Sequence, residues 1–376
     1  MIIKNPPMGW NSWNTFGSNI HESMIRESAD AFIEQGLKDA GYEYLVIDDC
    51  WSEYDRDPVT DRLVASHEKF PNGMKAVADY VHSKGLKFGM YSCDGVRTCA
   101  DYPGSFDHEF LDAQTFAEWE VDFLKYDNCY RPATADCQLL YQRMGVALEQ
   151  CGRDILFSAC NWGTADVWKW IRSSGAHMYR STGDIQDNFK SFTEIAMSQQ
   201  DKYGYSAPNC YNDIDMLTIG MYGKGLVGTT GCDDTDYRTQ FVLWCMYGAP
   251  LMLGCDIRNM TEETKKLILN RDLIAIDQDE ACRPPVWQQH PWNANAKCAF
   301  KHLANGEYAM AFYNFGDKEY GVPAMLELFG IPTSSGLKVQ LTDLFTGEVV
   351  GVYRDYVRFQ IAAHDCKAFK AKLVRD

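Results

Sequence analysis

Short apolar runs that stop abruptly at polar or charged residues recur through about the first 280 residues of this chain. The clearest are Leu45–Ile47 ending in Asp48 and Asp49, Phe88–Tyr91 ending in Ser92, and Phe123–Leu124 ending in Lys125, Tyr126 and Asp127. Ile155–Cys160 ending in Asn161, Met178–Tyr179 leading through Arg180 to Asp184, and Tyr211–Asp215 continue the series. Brief β-branched or aromatic runs of this kind predict buried parallel strands. Between them lie amphipathic stretches of helical period. Glu22–Gly36 ends at a glycine suited to a helix terminus, and Gly73–Gly85 repeats its plan. Asp112–Trp119, Asp136–Cys151, Val167–Ser173, Phe189–Gln199 and Tyr237–Met246 follow, and Thr261–Leu269 closes the set with Thr261 as its N-cap.

Strand–helix alternation implies a parallel sheet with helices outside it. With Met8–Trp10 first and Pro250–Leu253 last there are eight units, which in roughly 250 residues favours a closed (β/α)8 TIM barrel over an open doubly wound sheet. Past Pro284-Pro285 the texture changes. Cys298–Leu303, Tyr308–Tyr313, Lys338–Leu341 and Val349–Tyr353 are strand-like, separated by Asn-Gly, Phe-Gly-Asp and Thr-Gly turns. The expected architecture is a catalytic barrel over residues 1–283 and a C-terminal antiparallel β-sandwich domain over 284–376.

Composition narrows the function. A formal charge of -16 argues against nucleic acid and anionic membranes as partners. No run approaches the roughly 20 apolar residues of a membrane span, and the start, Met1–Pro7, lacks an apolar signal core, so the chain as given reads as cytoplasmic. The 14 cysteines are scattered along a large chain and read mostly as buried thiols; no paired C-x-x-C sets with zinc spacing occur.

Catalytic groups gather at the carboxyl ends of barrel strands, where side chains leave the core and face a common rim. Lys125 and Asp127, two apart on one strand, share a face; a neighbouring lysine lowers the pKa of a carboxylate and keeps it ionised, as a nucleophile must be. A structural ion pair is the alternative. Asp184 is a second strand-end carboxylate, or else a helix cap. Two carboxylates flanking one carbon are what glycosidic cleavage requires. Asp48 and Asp49 would bind sugar hydroxyls, while Trp10, Trp13 and Trp51 lie close in sequence to the first two strands and offer indole faces. So many aspartates also suit a metal, but Lys125 and Arg180 would compete with one; no metal and no cofactor is expected. His82, His108 and His177 lie in structural contexts, and no Ser-His-Asp order, P-loop or G-x-G-x-x-G is found.

At the level of motifs the chain resembles the family 27 glycoside hydrolases, the α-galactosidases and α-N-acetylgalactosaminidases. The similar stretches run in order: Pro7–Trp13, Ile47–Trp51, Phe70–Met74, Cys99–Ser105, Asp112–Ala117, Leu124–Cys129, Asn212–Leu217 and Ile274–Asp279. The resemblance implies a retaining double displacement with Asp127 as nucleophile and Asp184 as general acid/base. It implies that Asp48 and Asp49 hold the 6- and 4-hydroxyls of galactose, that Lys125 serves the 3- and 4-hydroxyls, and that Arg180 lies near the 2-hydroxyl. Trp13 and Tyr91 would form pocket walls, and Asp215 joins the substrate-binding set. Cys99 and Cys129 match a disulfide of secreted relatives; in a reducing cytoplasm they are expected to be reduced or only partly paired.

One departure concerns sugar identity. Secreted galactosidases carry Cys-Glu-Trp where this chain has Cys160-Asn161-Trp162, and that glutamate reads the substituent at carbon 2. Asn161 both donates and accepts, so an N-acetyl group is less firmly excluded, and Cys160 lacks its usual partner because Ala176 stands near the expected position. The expected activity is therefore hydrolysis of terminal non-reducing α-D-galactosides or oligosaccharides. β-L-arabinopyranosidase and α-N-acetylgalactosaminidase are alternatives on the same scaffold, and a non-hydrolytic galactose-binding protein is the alternative from another class. A homo-oligomer is compatible with the sequence.

Overall fold

The computed structural model describes residues 2–375. Eight parallel strands form one sheet in the order β7-β6-β5-β4-β3-β2-β1-β8. They are β1 (Met8–Asn11), β2 (Tyr44–Val46), β3 (Lys87–Cys93), β4 (Phe123–Asp127), β5 (Leu156–Cys160), β6 (Met178–Arg180), β7 (Tyr211–Asp213) and β8 (Leu251–Leu253). The sheet closes on itself through Leu217, just past β7: its N–H donates to the Met252 carbonyl at 2.8 Å and its carbonyl accepts from the Gly254 N–H at 2.9 Å. The result is the (β/α)8 barrel that eight strand–helix units call for.

Two side-chain layers follow from the alternation of each strand. Tyr44, Val46, Phe123, Leu156, Met178, Tyr211 and Met252 point inward and pack together as the barrel's lower plug. Their outward-facing neighbours, among them Leu45, Phe88, Leu124, Tyr126, Phe157 and Tyr179, join the main core under the helices. Apolar burial on both faces explains why these strands read as continuous runs.

The helices largely match expectation. Glu22–Glu34 ends before Gly36, which adopts φ +78, and Thr261 caps Glu262–Ile268 by accepting from the Thr264 N–H. Two differences stand out. The stretch expected as an α-helix at Val167–Ser173 is instead a pair of 3-10 turns, Thr164–Lys169 and Ile171–Ser174, because Trp170 leaves helical geometry between them at φ -131. A further helix, Arg271–Asp277, follows the one expected to be last, with Asn270 as its N-cap.

The C-terminal region is antiparallel. A six-stranded sheet runs in the order β14-β13-β16-β11-β10-β9, and β12 pairs with β15 across from it. These strands are β9 (Val286–His290), β10 (Asn293–His302), β11 (Tyr308–Asn314), β12 (Tyr320–Met325), β13 (Leu337–Asp343), β14 (Val349–Tyr353), β15 (Tyr356–Ile361) and β16 (Cys366–Arg375). A separate core of Phe300, Phe312, Val322, Leu341, Val357 and Phe369 fills the sandwich. It is tied to the barrel by Lys301, which is fully buried and donates to the carbonyls of Cys245 and Ile276. Arg238 adds an ion pair to Asp365 at 2.6 Å.

Candidate active site

The carboxyl ends of the barrel strands surround a cavity of about 260 Å³, lined by Trp13, Asp48, Asp49, Tyr91, Lys125, Asp127, Arg180, Asp184 and Asp215. That is below the roughly 300–1,000 Å³ of pockets for drug-sized ligands and fits one small polar ring. Among the described residues, no other cavity gathers these groups.

Parallel register places the groups. Tyr91 of β3 pairs with Lys125 of β4, and Asp127 pairs with Cys160 of β5, so all four point to the interior. Lys125 pairs with Asp48, Nζ to Oδ2 at 2.8 Å, and lies over the Tyr91 ring. Asp48 is further held by the Asn11 amide at 2.7 Å. Burial works most strongly against the Lys125 charge, but Asp48, Cys160 and Asp127 together more than offset it, and the lysine pKa ends above its usual value. Asp127 accepts from the Tyr91 hydroxyl and from the Asn128 N–H, each at 3.0 Å. Burial pushes its carboxyl up to about 6, with Lys125 pulling the other way. This corrects the expectation that Lys125 would hold Asp127 low: desolvation wins, and the lysine spends its direct contact on Asp48.

Asp184 stands opposite in exposure. Its side chain is 74% accessible, and Arg180 Nη2 reaches its Oδ1 at 2.8 Å. It caps no helix, since Asn188 caps Phe189–Met197. A second carboxylate, Asp215, meets the same guanidinium at 2.6 Å. Asp49 turns inward, accepting from the Thr98 hydroxyl at 2.8 Å and the Ala100 N–H at 3.0 Å, which anchors the segment carrying Cys99.

Asn161 is the exception among the expected site residues. It is wholly buried, its amide donates to the Thr164 carbonyl at 3.0 Å, and it does not line the cavity. Strand alternation is the reason: Ser158 and Cys160 share the inward face with Lys125 and Asp127, so the next residue turns away. The neighbours Cys160 and Trp162 border the cavity instead. Trp10 and Trp51 are core residues, their indoles donating to the carbonyls of Cys255 and Tyr91. His82, His108 and His177 make structural hydrogen bonds to Asp122, Asp61 and the Phe157 N–H.

Cys99 and Cys129 are paired as a disulfide, with Cα atoms 5.2 Å apart. The remaining cysteines are free, Cys160 among them. The bridge lies against the site: Cys99 Sγ is 4.0 Å from Asp127 Oδ2. Among the described residues, two groups present three metal-ligating side chains each. In one, the sulfurs of Cys99 and Cys129 are bonded to each other; in the other, Lys75 already pairs with Asp79 and Glu120.

Sequence reasoning missed Asn14, Ile185, Gln186, Met216, Leu226 and Val227, which complete the lining. Leu226 and Val227 come from the glycine-rich stretch Gly220–Gly231 and hang from the Asn14 carbonyl through their N–H groups at 2.8 and 3.2 Å. A Cβ at Gly225 would stand 2.7 Å from the Thr15 Cα. That glycine density was the available signal, because only glycine permits such an approach.

Comparison with known proteins agrees with the geometry. The family model described as alpha galactosidase A matches residues 5–279, and that of the alpha galactosidase C-terminal beta sandwich domain matches 295–371. The α-galactosidase of Cyamopsis tetragonoloba is 40% identical over 97% of this chain and 86% of its own length. The crystal structure of α-galactosidase I from Mortierella vinacea superposes with a TM-score of 0.91 at 31% identity, covering 98% of this chain and 97% of that one. The Saccharomyces cerevisiae α-galactosidase with raffinose gives 0.90 at 27% identity, covering 98% of each chain.

Proposed function

This chain belongs to the α-galactosidase family of glycoside hydrolases, and from that premise we propose that it cleaves terminal, non-reducing α-D-galactosides with retention of anomeric configuration. The observation that carries the reading is the unequal pair of carboxylates on one small cavity: Asp127 buried beneath Tyr91, and Asp184 exposed on the rim. Asp127 attacks carbon 1 and forms a galactosyl-enzyme. Asp184 protonates the departing oxygen and then, as base, draws a proton from the water that releases the sugar. Asp48, Asp49, Lys125 and Arg180 bind ring hydroxyls, with Trp13 and Tyr91 as walls. The catalytic unit is residues 1–283 and the β-unit 284–376.

With Asn161 off the cavity, the residue that pointed toward an N-acetylated sugar has no contact through which to read carbon 2. The test is direct. Nitrophenyl glycosides of α-galactose, β-L-arabinopyranose and α-N-acetylgalactosamine are assayed side by side, with product anomers followed by NMR. Fastest turnover on the galactoside with α-galactose as first product supports the reading; β-galactose as first product overturns retention. Asp127→Ala should lose about 10⁴-fold or more in kcat while remaining folded.

A further inference from the structure

Asp215 lines the cavity, and both of its carboxylate oxygens are engaged by the protein. Oδ1 accepts from the Met216 N–H at 2.7 Å; Oδ2 accepts from the Ile185 N–H at 2.7 Å and pairs with Arg180 Nη2 at 2.6 Å. Asp48 and Asp49 carry as many protein contacts on their carboxylates, so what sets Asp215 apart is which groups it holds. The residue also holds φ +83, a conformation that side chains other than glycine avoid. It is kept there by its own N–H donating to Asp213 Oδ1 at 2.9 Å and by the Trp244 indole donating to its carbonyl at 2.8 Å. A strained residue braced from both sides indicates a required orientation.

What that orientation serves is the adjacent loop. Ile185 follows Asp184 directly, and Arg180 is the charged partner of the Asp184 carboxylate. Both anchors of Asp184 are thus held by Asp215. We propose that Asp215 is a positioning residue for Asp184 rather than a ligand of the sugar: it fixes the loop through the Ile185 N–H and shares the Arg180 guanidinium with Asp184, so that Asp184 is held where it meets the leaving group. The inference rests on reading Asp184 as the general acid/base. The other charged and titratable groups facing Arg180 are Asp213 of β7 and Cys160 of β5, with Lys125 and Asp127 of β4 beyond the thiol. Of the carboxylates that meet the guanidinium, only Asp215 also grips the Asp184 loop.

The experiment measures kcat/KM of the full chain for α-galactosides whose leaving groups run from 2,4-dinitrophenol to methanol. Good leaving groups depart without protonation, whereas poor ones need the acid. Asp215→Asn should lose less than about 10-fold on the dinitrophenyl substrate and about 100-fold or more on methyl galactoside. An equal loss on every substrate, with weaker inhibition by free galactose, would make Asp215 a sugar ligand and overturn the proposal. Asp184→Ala, run in parallel, isolates the underlying reading: if it shows no leaving-group dependence, the acid/base assignment fails. Should Asp215→Asn misfold, Asp213→Ala removes the acceptor for the Asp215 N–H and should give a milder form of the same dependence. A flat response in that variant also rejects the idea.

Discussion

Replacing Asp127 by asparagine should inactivate the protein and stabilise it, but only above acid pH. The side chain is buried, and its carboxyl stands at about 6 rather than the ordinary 3.8. Because the folded-state value exceeds the unfolded one, ionisation opposes folding. The penalty is absent below about pH 4, grows as pH rises toward 6, and is complete above it. A displacement from 3.8 to about 6, at about 1.4 kcal/mol per tenfold in acidity, amounts to about 3 kcal/mol. Asparagine keeps the shape, can accept from the Asn128 N–H while its amide donates to the Tyr91 oxygen, and carries no charge to desolvate. For a chain of this size that gain corresponds to a rise of about 4 °C in Tm. Thermal melts of wild type and Asp127→Asn at pH 4 and pH 7.5 provide the assay. The two should coincide near pH 4 and separate at pH 7.5 with the variant higher. A variant equally or less stable than wild type at pH 7.5 would refute the argument, because Lys125 and the hydrogen bonds would then outweigh burial.

Three shorter predictions follow from neighbouring features. If Asp127 must be ionised to attack, the acid limb of kcat/KM should lie near pH 6, and Lys125→Met should move it upward by about one pH unit or more, since Lys125 is the principal charge favouring the carboxylate; a pH–rate profile of each protein checks this. Reducing the Cys99–Cys129 bridge, which closes a segment of 30 residues, should cost about 3–4 kcal/mol by loop entropy and lower kcat/KM, because that segment is anchored on Asp49; melts and assays with and without reductant report both effects. Gly95→Ala should destabilise by more than about 3 kcal/mol, because a Cβ there would stand 1.8 Å from the Cys129 carbonyl oxygen; a thermal melt, or failure to recover soluble protein, measures it.

The barrel strands were legible because each is short, apolar and capped by polar residues, and because β-alternation alone puts Lys125 and Asp127 on one face. The β-domain was less so. The strands at Val286–His290, Tyr356–Ile361 and Cys366–Arg375 escaped notice because they are half-exposed and carry polar side chains on their outer faces, and Tyr320–Met325 because it is broken by Gly321 and Pro323. A strand buried on one side has fewer apolar residues with which to announce itself. The Val167–Ser173 stretch failed as a helix for a different reason: Trp170 leaves helical geometry, and that answers to its surroundings, not to an apolar period.

The sequence by itself determined the strand ends, the faces they present and the residue types gathered on the rim, since these depend on a local repeat of two. Only the closed tertiary structure decided which charges meet. Lys125 chose Asp48 over Asp127, Arg180 joined Asp184 to Asp215, Asn161 turned away, and Leu226 and Val227 arrived from a distant glycine-rich loop. Those pairings depend on the separation of side chains from different strands and on which of them lose water, and neither quantity exists until the sheet has closed.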